Sequence, residues 1–246
     1  MNCELKRRQQ AELDFWRNSP HEGPASDSVA QIVHKSVEAA VLMDVLRRYE
    51  SDFAGARDIL ELGGGQGWAS CIVKRQFPSA RVTLSDLSED AISSVRTWER
   101  VYNVRLDGAI ACPSYEIPVE DHAFDLVFAF ASAHHFAAHR QTFQELRRVL
   151  RPGGQALYFY EPSCGPGLYR LAHRRVNRKR PEVPEDVLVH PKLLALAREA
   201  GLEAAVEFYP SVLARAPGAL FYYTVLAKLP PLQRLLPCTA NFRFRK

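Results

Sequence analysis

Ile59-Leu60-Glu61-Leu62-Gly63-Gly64-Gly65-Gln66-Gly67-Trp68 is the stretch that decides the fold. Ile59, Leu60 and Leu62 suit a strand covered on both faces. Gly63, Gly65 and Gly67 stand at alternate positions, which permits a tight turn and lets backbone approach a ligand closely. A helix is predicted from Trp68 to about Phe77, and its N-terminal end is a ready site for partial negative charge. An ordinary strand-to-helix turn is served by one flanking glycine. Three alternating glycines with an acid before the first fit that explanation poorly.

The spacing excludes the dinucleotide fingerprint G-x-G-x-x-G, because the sixth position from Gly63 is Trp68 and from Gly65 is Ser70. Glu61 beside the loop repels a pyrophosphate and attracts an ammonium group, so the ligand that fits carries a cation there. From Glu61 to Gly67 the chain resembles the class I S-adenosylmethionine-dependent methyltransferases, whose first motif is acid-x-Gly-x-Gly-x-Gly after a strand. The resemblance implies S-adenosylmethionine, with its α-ammonium and sulfonium, as cofactor, and Glu61, Gly63, Gly65 and Gly67 as residues that hold it.

Asp86 ends the second predicted strand, 19 residues after Gly67. An acid about 20 residues beyond such a loop is where a ribose is held, since a carboxylate accepts from both hydroxyls. Leu87 offers an apolar face to adenine, and Asp86-Leu87-Ser88 resembles the family's second cofactor segment. The family often has an acid bonding the adenine amino group within the region corresponding to Ala111–Val119. Here Cys112-Pro113-Ser114-Tyr115-Glu116 stands instead, leaving Ser114, a backbone group or Glu116 as the substitute. Phe124-Asp125-Leu126-Val127 followed by Ala131-Ser132-Ala133-His134-His135-Phe136 resembles the fourth motif, which puts Ala131 beside the cofactor. Leu150 to Gly154 resembles the segment before the fifth strand. The matches span about residues 57 to 162, and they specify fold and cofactor but not the acceptor.

His134 and His135 follow the fourth strand at the ligand end of the sheet. Either could remove a proton from an acceptor hydroxyl near neutral pH, and nothing in the sequence chooses between them. The bland alternative is a loop residue that caps or packs. His139 is a weaker candidate. Glu161 ends the fifth strand, where it either holds a substrate group or caps a turn. Tyr158 and Tyr160 pack or line the cavity. Ser132 lacks the G-x-S-x-G elbow of a serine nucleophile.

The remaining pattern is that of an α/β protein. Strands are expected at Asp58–Leu62, Ala80–Ser85, Gly108–Cys112, Phe124–Ala131, Gln155–Tyr160, Leu202–Tyr209 and Asn241–Arg245. Helices are expected at Val29–Tyr49, at Glu89–Val101 capped by Ser88, at Gln141–Leu150, and at Pro191–Ala200 stopped by Gly201. Crossover rules and the resemblance together make this a doubly wound, Rossmann-like, seven-stranded, mostly parallel sheet with helices on both faces. Residues 1–54 are expected to form an N-terminal helical lid, where Phe15, Trp16 and His21 lie. Residues 55–246 form the cofactor-binding domain, with 165–190 and 214–238 as substrate-side insertions.

Across 246 residues, hydrophobic content is 47% and charged content 24%, ordinary for a globular chain. No run of about 18 apolar residues predicts a membrane span, and the charged N-terminus does not read as a signal peptide. Five scattered cysteines without a C-x-x-C pair predict no metal site and a reducing, cytoplasmic setting. Arg170 to Arg180 holds six Lys/Arg and no acid, so the rest of a chain with net charge +4 carries −2. That cluster is either a solvated helix face or a contact for an anionic or carrier-linked acceptor. The expected activity is methyl transfer to a small molecule, with O-methylation ahead of N- or C-methylation. A nucleic-acid methyltransferase using the 170–180 segment is an alternative, disfavoured because Phe130-Ala131-Ser132-Ala133 replaces the Asp/Asn-Pro-Pro-aromatic segment of base-amino methyltransferases. A methyltransferase-like binding protein without catalysis is the other alternative, raised by the altered adenine segment. Oligomeric state is not legible.

Overall fold

The computed structural model describes residues 3–18, 29–178, 185–213 and 215–246. Its centre is β1 (Asp58–Leu62), in which all five residues are buried. β1 lies parallel between β2 (Arg81–Asp86) and β4 (Phe124–Phe130), with Leu60 opposite both Thr83 and Val127. β3 (Gly108–Ala111) extends the sheet beyond β2, and β5 (Leu150–Cys164) extends it beyond β4. β8 (Cys238–Arg245) inserts antiparallel between β5 and β7 (Glu203–Phe208). The order is β3-β2-β1-β4-β5-β8-β7. It reverses between β1 and β4, and that switch point opens a crevice at the strands' carboxyl ends.

Helices cover both faces. On one side α2 (Val29–Arg48), α3 (Glu50–Ala54), α4 (Trp68–Gln76) and α6 (Val95–Tyr102) bury Leu42, Phe53, Val73 and Trp98. On the other, α7 (His139–Val149) and α9 (His190–Glu199) bury Phe143, Leu146 and Leu193 against Tyr158 and Phe244. Large residues fully buried at this density make single core truncations cost about 2–5 kcal/mol.

Several expectations need correction. The sheet has eight strands, because the two-residue β6 (Leu188–Val189) pairs with the end of β5. The helix expected over Glu89–Val101 is two, α5 (Glu89–Ser93) and α6, since Ser94 turns its hydroxyl back onto the Ala91 carbonyl. Ser88 does cap α5, accepting from the Ala91 N–H at 3.1 Å. β5 runs well past Gln155–Tyr160 in both directions, and β8 begins three residues before Asn241. In α2 the periodicity is right but its first half is not core: Ile32, Val33 and Val37 are 41%, 58% and 44% exposed. The inward side of that half carries Gln31, and the core contacts begin at Val41. Residues 1–2, 19–28 (including His21), 179–184 and 214 lie outside the described residues, as do the side chains of Phe15 and Trp16.

One ion pair ties α3 to the antiparallel edge. Arg243 on β8 donates to both Asp52 oxygens, at 2.6 and 2.8 Å. Burial pushes the Asp52 carboxyl up, and the bonds from Arg243 and Gln155 outweigh it and hold the pKa below the usual range. Arg243→Met is expected to cost about 1–3 kcal/mol at pH 7, less than a fully buried pair because Arg243 is partly exposed. The deficit shrinks as pH falls below about 4, where the wild-type pair itself is lost by protonation. Urea denaturation of both proteins at pH 7 and pH 3 measures it.

Candidate active site

The carboxyl ends of β1, β2 and β4 surround a cavity of about 420 Å³. Glu61 closes its floor. The side chain is 1% exposed, and its carboxyl accepts from the Ser70 hydroxyl and the Ser70 N–H at the start of α4. Burial pushes its pKa up to about 7, and the charge of nearby Asp86 pushes the same way. A side chain at Gly64 could not coexist with this arrangement, because a Cβ there would sit 2.5 Å from Glu61 Cδ.

Asp86 ties the two loops together. Its Oδ2 accepts from the Gly65 N–H at 2.7 Å and its Oδ1 from the Ser88 N–H at 2.8 Å. Burial raises its pKa despite these bonds. Each oxygen retains acceptor capacity beyond one backbone bond. Among the described residues, no Lys or Arg pairs with either Glu61 or Asp86. Two acids therefore share a buried pocket wall, neither with a described Lys or Arg partner.

Glu61, Gly63, Gly65, Asp86, Leu87, Ser114, Ala131, His134 and His135 all line this cavity. Gly67 does not. Its φ is +82°, and an added Cβ would lie 2.8 Å from Leu84 Cδ2 and 2.9 Å from Val95 Cγ2, so it serves the turn into α4 and the packing beneath it. At the adenine segment, Ser114 reaches the wall and shares a 2.9 Å hydrogen bond with Thr142 of α7. Glu116 is exposed and away from the cavity, so it does not replace the expected acid.

Beyond β4 the chain forms a short 3-10 turn at Ala133–His135. Glu161, fully buried at the far end of β5, holds it. Oε1 accepts from the Ser132 and Ala133 N–H groups at 3.0 and 2.8 Å, and Oε2 from the His134 N–H at 3.1 Å. His134 Nδ1 lies 2.8 Å from Oε2. This carboxylate accepts readily, which assigns the ring proton to Nδ1 and the lone pair to Nε2. The His135 ring lies 4.1 Å from that of His134. His139 is not part of the site. It sits between Phe136 and Phe143 with Nδ1 buried and without a hydrogen-bond partner, and burial drives its pKa down to about 4. Tyr158 is core, and Tyr160 stacks behind Phe130.

Two helices cover the opening. Gln9 and Leu13 of α1 (Cys3–Asn18) line the cavity, and Gln9 Nε2 meets the Tyr115 hydroxyl at 3.2 Å. His34, Lys35 and Glu38 of α2 face the same space. The helix α8 (Tyr169–Asn177), which carries Arg170, Arg174 and Arg175, contributes nothing to the cavity wall.

Residues 60–158 match the family described as the methyltransferase domain. The fatty-acid O-methyltransferase of Mycolicibacterium smegmatis is 33% identical over 109 residues, 44% of this chain and 38% of that protein. The malonyl-[acyl-carrier protein] O-methyltransferase of Hahella chejuensis is 35% identical over 101 residues, 41% of this chain and 35% of that one. The crystal structure of geranyl diphosphate C-methyltransferase from Streptomyces coelicolor superposes over 97% of both chains with a TM-score of 0.68 at 13% identity. Residues 60–158 match a methyltransferase domain, and the fold around them is similar to that of S-adenosylmethionine-dependent methyltransferases. The chain spans less than two thirds of the length of the curated methyltransferases it matches. The similarity covers the cofactor half of the methyltransferase fold and leaves α1, α8 and the region after β7 outside the domain match.

Ser70, Gly64 and Gln66 shape the wall of this candidate site in ways that the motif alone does not announce. Gln66 Oε1 accepts from Gln31 at 2.8 Å and from the Trp98 indole at 3.2 Å, anchoring α2 to the loop. The glycine run could have flagged Gly64; no sequence signal marks Ser70 or Gln31. The Glu161 arrangement yields a direct expectation. Glu161→Gln puts an amide donor against backbone donors, so urea denaturation should show a loss of about 3 kcal/mol, the scale of bonds to a buried charge.

Proposed function

We propose that the protein transfers a methyl group from S-adenosylmethionine to a small-molecule acceptor, with oxygen the favoured target atom. The observation that carries this reading is the pair of buried carboxylates that, among the described residues, have no Lys or Arg paired with them. A buried charge without a partner is costly, and a ligand cation relieves it. S-adenosylmethionine is such a ligand, and it supplies an electrophilic methyl group on its sulfonium.

Glu61 faces the cationic end of the cofactor, and the loop at Gly63 and Gly65 lets the backbone come close to it. Asp86 accepts from the ribose hydroxyls, Leu87 packs on adenine, and Ser114 supplies the polar contact at the adenine end in place of an acid. Ala131 lies along the wall between cofactor and acceptor. His134 is the better base of the two histidines. Glu161 fixes its ring and favours the imidazolium that forms when Nε2 takes the acceptor's proton. A base matters most for a hydroxyl acceptor, since a carboxylic acid is already ionised near neutral pH, and the two relatives above are named O-methyltransferases. Residues 1–54 act as the helical lid that excludes water during transfer, and 165–190 and 214–238 flank the acceptor side. The four described cysteines are buried free thiols, which suits a cytoplasmic protein. Among the described residues no helix is long and apolar enough to cross a membrane.

Calorimetry with S-adenosylmethionine tests the site. Asp86→Ala is expected to weaken binding at least about tenfold, the loss of one or two hydrogen bonds to a charged group. His134→Ala is expected to leave that affinity unchanged and to lower kcat on a hydroxyl acceptor by about 100-fold or more. Unchanged cofactor affinity in Asp86→Ala overturns the ribose assignment. Unchanged kcat in His134→Ala overturns the base.

A further inference from the structure

Acidic residues are absent from two long stretches of this chain. Ser163–Arg180 and Tyr209–Lys246 together carry twelve Lys/Arg and no Asp or Glu, so the remainder of a chain with net charge +4 carries −8. Of these stretches α8, α10 (Pro217–Lys228) and α11 (Pro230–Leu235) form one corner of the molecule, while Arg243 and Lys246 lie at the far end of β8, beside Asp52 and His122. Arg175 of α8 stacks 5.4 Å over the Tyr222 ring of α10, and Gln233 of α11 donates to the Leu226 carbonyl of α10 at 2.8 Å.

This basic corner is also where apolar side chains stand out of the surface. Leu171 of α8 is 64% exposed, Phe221 of α10 74% and Leu235 of α11 64%. They project from three different helices, among exposed Arg170, Arg174, Lys228 and Arg234. Leu171 and Arg174 are three residues apart, so they share one face of α8. Apolar side chains interleaved with cations whose stems are themselves apolar form the pattern that settles into a headgroup layer. The corner adjoins the site: the Asn177 side chain, at the end of α8, bonds the Glu185 carbonyl at 2.8 Å, and Glu185 lines the cavity.

We propose that the α8–α10–α11 corner docks on an anionic lipid bilayer, which places the cavity beside a store of apolar, membrane-resident acceptors. Charge complementarity selects this occupant. α8, α10 and α11 carry cations and no acid of their own, so they attract anionic headgroups, and the attraction falls off within a Debye length. The corner presents its apolar residues as separate projections, which suits partial insertion into a bilayer. The inference extends the acceptor reading above, and its test keeps the two apart.

Flotation of the full chain with phosphatidylcholine vesicles, and with vesicles that also contain phosphatidylglycerol, tests it. Binding to the anionic vesicles alone is expected, with loss as salt is raised. Arg170 and Arg174 make no ion pair or hydrogen bond among the described residues, so Arg170→Glu with Arg174→Glu is expected to leave the fold intact while lowering partitioning about twentyfold or more. Phe221→Ser is expected to weaken binding with no change of charge. Calorimetry with S-adenosylmethionine accompanies every variant and should be unchanged. Equal binding to both vesicle types, or none, overturns the proposal, as does a chain that ignores vesicles but binds a purified acidic acyl carrier protein through the same arginines. A chain that binds S-adenosylmethionine and ignores vesicles loses only the docking proposal. One that binds anionic vesicles and not S-adenosylmethionine loses only the site reading.

Discussion

Two carboxylates at the ends of neighbouring parallel strands, facing one cavity with no Lys or Arg paired to either among the described residues, are the constraint on which the rest of the molecule depends. Glu61 is forced inward because β1 is buried on both sides and its last residues have no solvent to reach. Asp86 is drawn toward it because the Gly65 and Ser88 amides fold over the end of β2. Burial and mutual repulsion hold Glu61 near neutrality, at a pKa of about 7. A site in that condition is poised for a cation and hostile to a diphosphate.

A second carboxylate device works on the other side of the switch point. Glu161 gathers three backbone N–H groups and one imidazole, so it behaves as a cap for a turn that has no capping residue of its own. The same bonds orient His134 toward the cavity. Capping and orienting are therefore one role, and the choice between a turn cap and a substrate contact at Glu161 resolves to the cap. The two devices differ in sign: Glu161 is surrounded by donors, whereas Glu61 receives only Ser70 and awaits a positive charge.

The sheet was readable because β1 and β4 are unbroken apolar runs, and β2 follows the loop at the distance a crossover helix needs. The ends of strands were less so. β5 passes through Tyr160 at a φ of +58° before continuing to Cys164, and no residue preference predicts a tyrosine there. The cavity wall was legible at Glu61, Gly63, Gly65 and Asp86, where backbone geometry or charge requires particular residues. Gly67 lies outside that lining, and its positive φ and crowded surroundings concern packing. Ser70 and Gln66 act through contacts that spacing does not encode. α2 shows the same limit, since Val33 and Val37 keep helical period while facing outward.

The pH dependence of S-adenosylmethionine affinity tests the carboxylate pair most directly. Calorimetric titrations between pH 5.5 and 7.5, in buffers of differing ionisation enthalpy, report both affinity and protons released. Glu61 must be ionised to meet a cation, so affinity is expected to fall toward about tenfold per pH unit below pH 7, with up to one proton released on binding at the acid end. An affinity that is flat across this range, or that rises on acidification, would contradict the account.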